Sequence, residues 1–482
     1  VGAGTGSGKT LSFYLPAYAY LASLQDKSTW TRCLAIYPRN ELLRDQFTNA
    51  FASARRADQL FDAETGRKLR IGAFYGAAPT SHTSLDSKHS QWRHTPGGYL
   101  CPYLTCPGGV GQGCGGAMHW PDDYVKRGEE LLVCADCGAR FGDDTIVITR
   151  QRMKTVAPDI VFSTTEMLNR SMLDLSSSSI LGIGVPEPKR PRLVLLDEIH
   201  TYGGSSGAQT AMVLRRWRHR VNTPVTFVGL SATLVDAGNY FATLIGVDSN
   251  SVQYIEPTPD ELTSEGAEYL VAARSDPTSG ASVLSATIQS TMLLSRLMDP
   301  PASGLSAGGF GSKAFVFTDD LDVTNRLYYD LADAEGLRLA HSGRAVPGRK
   351  EPLAALRNPA LGGGIPRRLA GQSWDLPQLL GHPIDGNGRL RLGRTSSQDT
   401  GVDSEAQAIV ATASLEVGFD DPAVGAVIQH KAPRDVAQFI QRKGRAGRLR
   451  GMRPLTLVVL SDYGRDRAAY EAWDSLFDPV LP

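Results

Sequence analysis

Residues 2–10 read Gly-Ala-Gly-Thr-Gly-Ser-Gly-Lys-Thr and residues 197–200 read Asp-Glu-Ile-His. A glycine-rich run of this kind turns its backbone N–H groups inward around phosphate oxygens. Gly4, Thr5, Gly6, Ser7 and Gly8 are therefore candidate phosphate contacts, with Lys9 reaching the β- and γ-phosphates and Thr10 holding Mg²⁺. The two carboxylates follow the apolar stretch Leu193–Leu196, which reads as a buried strand and would carry them at its tip. Asp197 would share the Mg²⁺ shell and Glu198 would orient or deprotonate an attacking water. Late in the chain comes Gln-Arg-Lys-Gly-Arg-Ala-Gly-Arg at 441–448. Arg445 and Arg448, three apart on a helix or tight turn, share a face and could stabilise charge on a phosphoryl group bound elsewhere. The three runs together point to ATP as a cofactor and to phosphoryl chemistry.

A second kind of chemistry lies between the first two runs. Five of the six cysteines fall within residues 101–137, a clustering that points to metal rather than scattered disulfides. Cys134-x-x-Cys137-Gly138 is a tight knuckle whose glycine permits the sharp turn. Its partner pair must come from Cys101, Cys106 and Cys114, so four of these five thiolates are expected to hold a structural Zn²⁺. His119 is a possible substitute, but before Trp120 it reads as a packing residue. Cys33, in an apolar stretch, reads as core.

The elements that must position these residues alternate between apolar strands and helical stretches. Residues 11–24 are apolar at helical spacing; 32–37 and 70–75 read as strands and 41–54 as a helix. The rhythm breaks over 77–155, rich in Gly, Ser, His and Cys, which reads as an insertion, and resumes with 159–163, 193–196 and 225–230. The expected organisation is a first α/β domain over 1–255 carrying that insertion, a linker and helical segment over 256–312, and a second α/β domain over 313–482. Within the second, 359–404 reads as an arginine-bearing loop insertion. A phosphate loop normally follows a buried strand, so the start at Val1 suggests a fragment with chain upstream.

The 482 residues carry 50 basic and 50 acidic side chains, so net charge neither advertises nucleic acid nor excludes a local basic groove. No apolar run is long enough to span a membrane and there is no signal-peptide pattern, which fits a cytoplasmic protein. The run Arg215-Arg216-Trp217-Arg218-His219-Arg220 reads equally as a phosphate contact and as a solvated helix face.

As an ordered set these motifs resemble the superfamily-2 DEAD/DEAH-type helicases. Thr5–Thr10 resembles motif I; Pro38, Leu42 and Gln46 motif Ia; Thr165–Leu168 motif Ib; Asp197–His200 motif II; Ser231-Ala232-Thr233 motif III. Phe317-Thr318 lies at motif IV, Ala411 to Asp420 resembles motif V, and Gln441–Arg448 motif VI. The motif Ia spacing, the Gln opening motif VI and the Ser414–Asp420 stretch resemble the Lhr/MrfA-like DNA helicases and, less closely, DpdJ-type helicases of defence or DNA-modification islands. The resemblance implies two tandem RecA-like domains with parallel sheets flanked by helices, and ATP hydrolysed between them. It implies that Gln441 meets His200 or the γ-phosphate, that Gly418 and Asp420 serve the nucleotide, and that Ser231 and Thr233 couple its state to the bound strand. Pro38, Arg39, Thr165, Glu166 and Thr412 would contact nucleic acid, expected to be DNA with a single-stranded region. An iron–sulfur cluster is the alternative to zinc, because some relatives carry one inserted between motifs I and II. An RNA helicase, or an ATP-switched recruitment module in a repair or defence complex, are the alternative activities.

Overall fold

The computed structural model describes residues 1–2, 9–24, 27–108, 114–174, 176–231, 234, 236–261, 266–275, 278, 281–299, 309–337, 351–382, 384, 388–395, 405–412, 421–434 and 436–477. The chain divides into two units, 1–259 and 260–481.

The first unit is built on a six-stranded sheet in the order Thr226–Gly229, Leu193–Leu196, Cys33–Tyr37, Ile160–Thr164, Ile71–Phe74, Ile146–Val147, every neighbour parallel. Continuous apolar runs such as Leu-Val-Leu-Leu fit a sheet covered on both faces, and Cys33–Tyr37 and Ile160–Thr164 are buried throughout. Residues 1–2 extend this sheet: the Val1 amino group donates to the Gly229 carbonyl at 2.8 Å, Ser231 N donates to the Val1 carbonyl at 3.1 Å, and Gly2 bridges Ser231 in parallel. The start of the glycine-rich run is thus held beside the strand that ends at Ser231.

A buried carboxylate pins the opposite, N-terminal edge of the central strands. Asp159, 1% exposed, accepts from Arg32 at 2.5 Å, from both Nη atoms of Arg67 at 2.7 Å and from Arg70 N at 2.9 Å. Residues that precede three different strands are joined there by charge-assisted bonds.

The insertion is narrower than its composition suggests. Strand Ile146–Val147 pairs with Ile71–Gly72 at the edge of the main sheet, and helix Arg150–Thr155 leads back into it. What stands apart is a five-stranded antiparallel meander of Arg93–Thr95, Gly98–Thr105, Ala117–Trp120, Leu131–Cys134 and Arg140–Gly142. Its inner face packs on helix Asn40–Arg56: Phe47 meets Tyr103 edge-on at 5.3 Å and Phe51 meets Phe141 at 5.2 Å.

The second unit has its own all-parallel six-stranded sheet, ordered Tyr269–Arg274, Leu455–Leu460, Val424–His430, Lys313–Phe317, Ala408–Ala411, Leu392–Thr395. Two segments differ from the sequence reading. The stretch 256–312, expected as a linker and helical segment, has its helix at Val283–Leu294 but also supplies edge strand Tyr269–Arg274 of this unit. The stretch 359–404, expected as a loop, supplies the opposite edge strand, held by Arg394 Nη1 donating to Asn325 at 2.9 Å. No helix among the described residues is long and apolar enough to cross a membrane.

Candidate nucleotide site and metal centre

The C-terminal ends of parallel strands are where the expected site residues gather. Helix Lys9–Ser23 begins directly after the glycine-rich run. Gly4, Thr5, Gly6, Ser7 and Gly8 lie outside the described residues, as do the side chains of Lys9 and Thr10. One turn further, the Tyr14 hydroxyl meets the Tyr37 hydroxyl at the tip of Cys33–Tyr37, tying this helix to the strand beside the Asp197 strand. Burial pushes both phenols up, so they stay neutral donors.

Asp197 ends its strand in a buried position, 7% exposed, and its Oδ1 accepts the Glu198 N–H at 2.8 Å. Glu198 has φ 48°, in the left-handed region that a non-glycine residue adopts only when its surroundings hold it there. The Thr201 hydroxyl donates to its carbonyl at 2.7 Å. His200 Nδ1 lies 3.4 Å from Glu198 Oε2 and 3.2 Å from Ser231 Oγ, with its ring almost wholly buried. One imidazole nitrogen thus stands between the candidate base and the tip of strand Thr226–Gly229. Ala232 and Thr233 lie outside the described residues.

Pro38 and Arg39 follow strand Cys33–Tyr37, and Thr165 and Glu166 open helix Thr165–Ser171, which Thr164 caps by accepting from Met167 N at 3.3 Å. These ends belong to neighbouring strands of one sheet edge, so the four residues share a border with Asp197. Glu166 is exposed and paired with Arg170 at 2.8 Å.

In the second unit Thr412 follows Ala408–Ala411, its N–H donating to the Thr395 carbonyl at 3.4 Å. Gly418 and Asp420 lie outside the described residues. Helix Val436–Lys443 carries buried Gln441 and Arg442 and then stops. Arg445 and Arg448 therefore stand on the turn beyond it rather than on a helical face. That turn reverses at Gly447, φ 76°, where a Cβ would sit 2.6 Å from Pro454.

Three arginines of the basic run at 215–220 bond to the fold itself, while Arg216 is exposed, 3.4 Å from Asn169 Oδ1. Trp217 is fully buried and donates to the Leu181 carbonyl at 3.0 Å. Arg215 donates to the Thr243 carbonyl at 2.7 Å, Arg218 to those of Ile245 and Gly246 at 3.2 and 2.9 Å, and Arg220 to that of Met172 at 3.3 Å. Cations at the carbonyl ends of helices Ala237–Ile245 and Thr165–Ser171 are favourable caps, so structure rather than phosphate accounts for them.

Four cysteines come together: the sulfurs of Cys106, Cys114, Cys134 and Cys137 all lie within 4.8 Å of one another. Cys106 and Cys137 are 3.5 Å apart and Cys114 and Cys134 3.4 Å apart. Gly108 N and Gly116 N donate to the sulfurs of Cys106 and Cys114, the backbone donors that stabilise thiolates. Burial opposes ionisation of Cys134, but the N–H groups of Cys137 and Asp136 together with the Cys114 and Cys137 thiols bring it down to about 7, while burial pushes Cys106 up. Cys101 is outside the set: it is buried, and burial pushes its thiol up to about 12. A Zn–S bond of about 2.3 Å puts tetrahedral thiolates roughly 3.8 Å apart, so a set this tight fits around one ion.

Comparison with known proteins follows this geometry. The model of the DEAD/DEAH box helicase family matches residues 1–91 and 123–239, skipping much of the cysteine module. The model of the helicase conserved C-terminal domain matches 388–450, and the two together match more than half of the chain. The Lhr helicase/probable uracil glycosylase of Mycolicibacterium smegmatis is 28% identical over 315 residues, which is 64% of this chain and 18% of that protein. Among solved structures, Mycobacterium smegmatis helicase Lhr bound to ssDNA and AMP-PNP matches 95% of this chain and 43% of that one, at TM-score 0.52 and 18% identity. DUF1998 helicase MrfA bound to DNA matches 100% of this chain and 46% of that one, at TM-score 0.51 and 16% identity. The chain spans about a fifth of the curated relative's length and less than half of each structure's. With two parallel-sheet units in the order the motifs demand, this chain belongs to the superfamily-2 DEAD/DEAH-type helicases and is similar to Lhr and MrfA.

Proposed function

We propose that this chain is the motor of an ATP-dependent DNA helicase or translocase. One observation supports this most: Asp197, Glu198, His200 and Ser231 stand at one sheet edge, beside the backbone that enters the glycine-rich run. In this reading the run, Lys9 and Thr10 hold Mg²⁺–ATP and Asp197 completes the Mg²⁺ shell. Glu198 takes the proton of the attacking water, and Arg445 and Arg448 neutralise charge on the transferring phosphoryl group. His200 passes the state of Glu198 to Ser231 and so to the strand tip. Pro38, Arg39, Thr165, Glu166 and Thr412 grip the phosphates of a single strand, with little sequence preference and strong salt dependence. DNA is favoured by likeness in sequence to the Lhr helicase/uracil glycosylases, one Lhr being solved with ssDNA; the fold itself is shared equally with ssRNA-bound Mss116p, at TM-score 0.53. The tight four-cysteine set favours one Zn²⁺, with Cys106, Cys114, Cys134 and Cys137 as ligands, over a multi-iron cluster whose core would spread its thiolates.

The test is steady-state ATPase of the full-length protein with no nucleic acid, single-stranded DNA, duplex DNA and RNA at two salt concentrations. Stimulation by single-stranded DNA is expected. Glu198→Gln should keep nucleotide binding and lose about 100-fold or more in kcat, while Lys9→Ala should weaken nucleotide binding. Stimulation by RNA alone would reassign the substrate. Wild-type turnover in Glu198→Gln would overturn the site.

A further inference from the structure

Arg442 carries a full charge yet is only 1% exposed. Its Nη1 donates to Asp319 Oδ1 at 2.6 Å and to Gln429 Oε1 at 2.7 Å, and its guanidinium lies over the Phe317 ring at 5.3 Å. The other Asp319 oxygen accepts the Arg434 N–H at 3.2 Å. One carboxylate therefore ties the tip of strand Lys313–Phe317, the chain leaving strand Val424–His430 and helix Val436–Lys443. The next bonds lead straight to the arginine turn. The Arg442 carbonyl accepts the Arg445 N–H at 3.0 Å, the Lys443 carbonyl accepts the Ala446 N–H at 3.3 Å, and Gly447 N donates to the Val424 carbonyl at 3.1 Å.

We propose that Asp319 and Arg442 are positioning residues: their buried ion pair fixes the turn that presents Arg445 and Arg448. The inference rests on the reading of those two arginines as phosphate contacts. A buried pair adds little stability over an apolar isostere, but it holds one geometry, which is what a charge aimed at a transition state needs. Arg434 N–H bonds Asp319 and Gln429 bonds Arg442, so a change beyond either strand tip reaches the turn through one member of the pair.

Full-length protein with single-stranded DNA provides the test, with kcat expressed per nucleotide-binding site and a melting curve for each variant. Asp319→Asn keeps the shape and removes the charge; it should lower kcat about 10- to 100-fold and move KM for ATP less than about 3-fold. In an Arg445→Ala background the same change should lower kcat less than about 3-fold further, because the two act through one turn. A purely structural pair would change the melting curve and the number of binding sites, with kcat per site intact and the two effects multiplying. Either of those results overturns the inference. If Asp319→Asn does not fold, Arg442→Lys replaces it: it keeps the charge, loses the planar fork, and should lower kcat per site about 5-fold or more, with an unchanged value counting against the pair. Wild-type turnover in Arg445→Ala would instead sink the reading of that arginine as a phosphate contact, so the two failures are distinct.

Discussion

Cys101 stands on the same meander as the four clustered thiols and takes no part in the cluster. Backbone pairing explains why. Cys106 exchanges bonds with Gly116 and Gly115 at 2.9 and 3.1 Å, which sets it beside Cys114, whereas Cys101 and Tyr103 are buried within Gly98–Thr105, whose pairing with Ala117–Trp120 shifts register between Leu100 and Thr105. Composition could place five candidates within reach; only the pairing of Cys106 with Gly115 and Gly116 removes one, and a strand whose register shifts leaves no regular period to read. The consequence is testable by metal content. Cys101→Ser should purify with about one bound metal ion per chain, as wild type, whereas Cys106→Ser should lose about 10-fold or more in metal affinity. Metal loss in Cys101→Ser with retention in Cys106→Ser would reverse the ligand assignment. The same limit applied at Arg442. Within 441–448 the eye goes to the glycine-flanked arginines, and nothing in sequence says that Arg442 faces inward to Asp319, 123 residues away.

Elements were most legible where a long apolar run is bounded by polar residues. Leu193–Leu196, Cys33–Tyr37 and Ile160–Thr164 stand out because a parallel strand covered on both faces is apolar along its whole length. The edge strands Tyr269–Arg274 and Leu392–Thr395 did not, because an edge strand is half solvated and tolerates Arg and Gly. Strand Val424–His430 carries a further consequence in its last residue. His430 is 5% exposed, and its Nδ1 lies 2.8 Å from Thr287 Oγ1. That hydroxyl gives its proton to the Val283 carbonyl at 2.9 Å, which leaves the ring to donate from Nδ1. Burial, then the nearby Lys431, lowers its pKa to about 4. A folded pKa below the unfolded one means that the unfolded chain binds more protons. Stability is therefore complete above pH about 6.5 and falls as the pH drops toward 4. The full loss is about 3 kcal/mol by the usual 1.4 per pKa unit. Urea unfolding from pH 7 to 4.5 followed on the second unit should show this slope, and His430→Gln should flatten it; an unchanged slope would remove His430 as its source.

At the scale of the whole molecule, the insertion leaves the first sheet after Ile71–Phe74 and returns at Ile146–Val147, the strand paired directly with Ile71–Gly72. A two-residue strand has no period, which is why the return was read as part of the insertion rather than as sheet. The meander between these points is held at two ends by different forces. Near the sheet, Phe47 and Phe51 of helix Asn40–Arg56 clasp Tyr103 and Phe141, and Trp92 packs on Trp120 at 5.9 Å. At the far end there is little apolar material, and Cys114 and Cys137 are exposed. With so little apolar surface to close that end, an ion held by the four thiols would supply ordering free energy there. Removing it should loosen the meander from the cysteine end inward and stop at the aromatic clasp. Hydrogen exchange with and without a chelator reads this directly. Amides of 105–106, 115–117 and 133–139 should lose most of their protection. Those of Ile160–Thr164 and Leu193–Leu196 should keep theirs, because their bonds lie within the main sheet. Equal loss across both sheets would mean that the metal braces the whole first unit, and no loss anywhere would mean that the four thiols hold no structural ion.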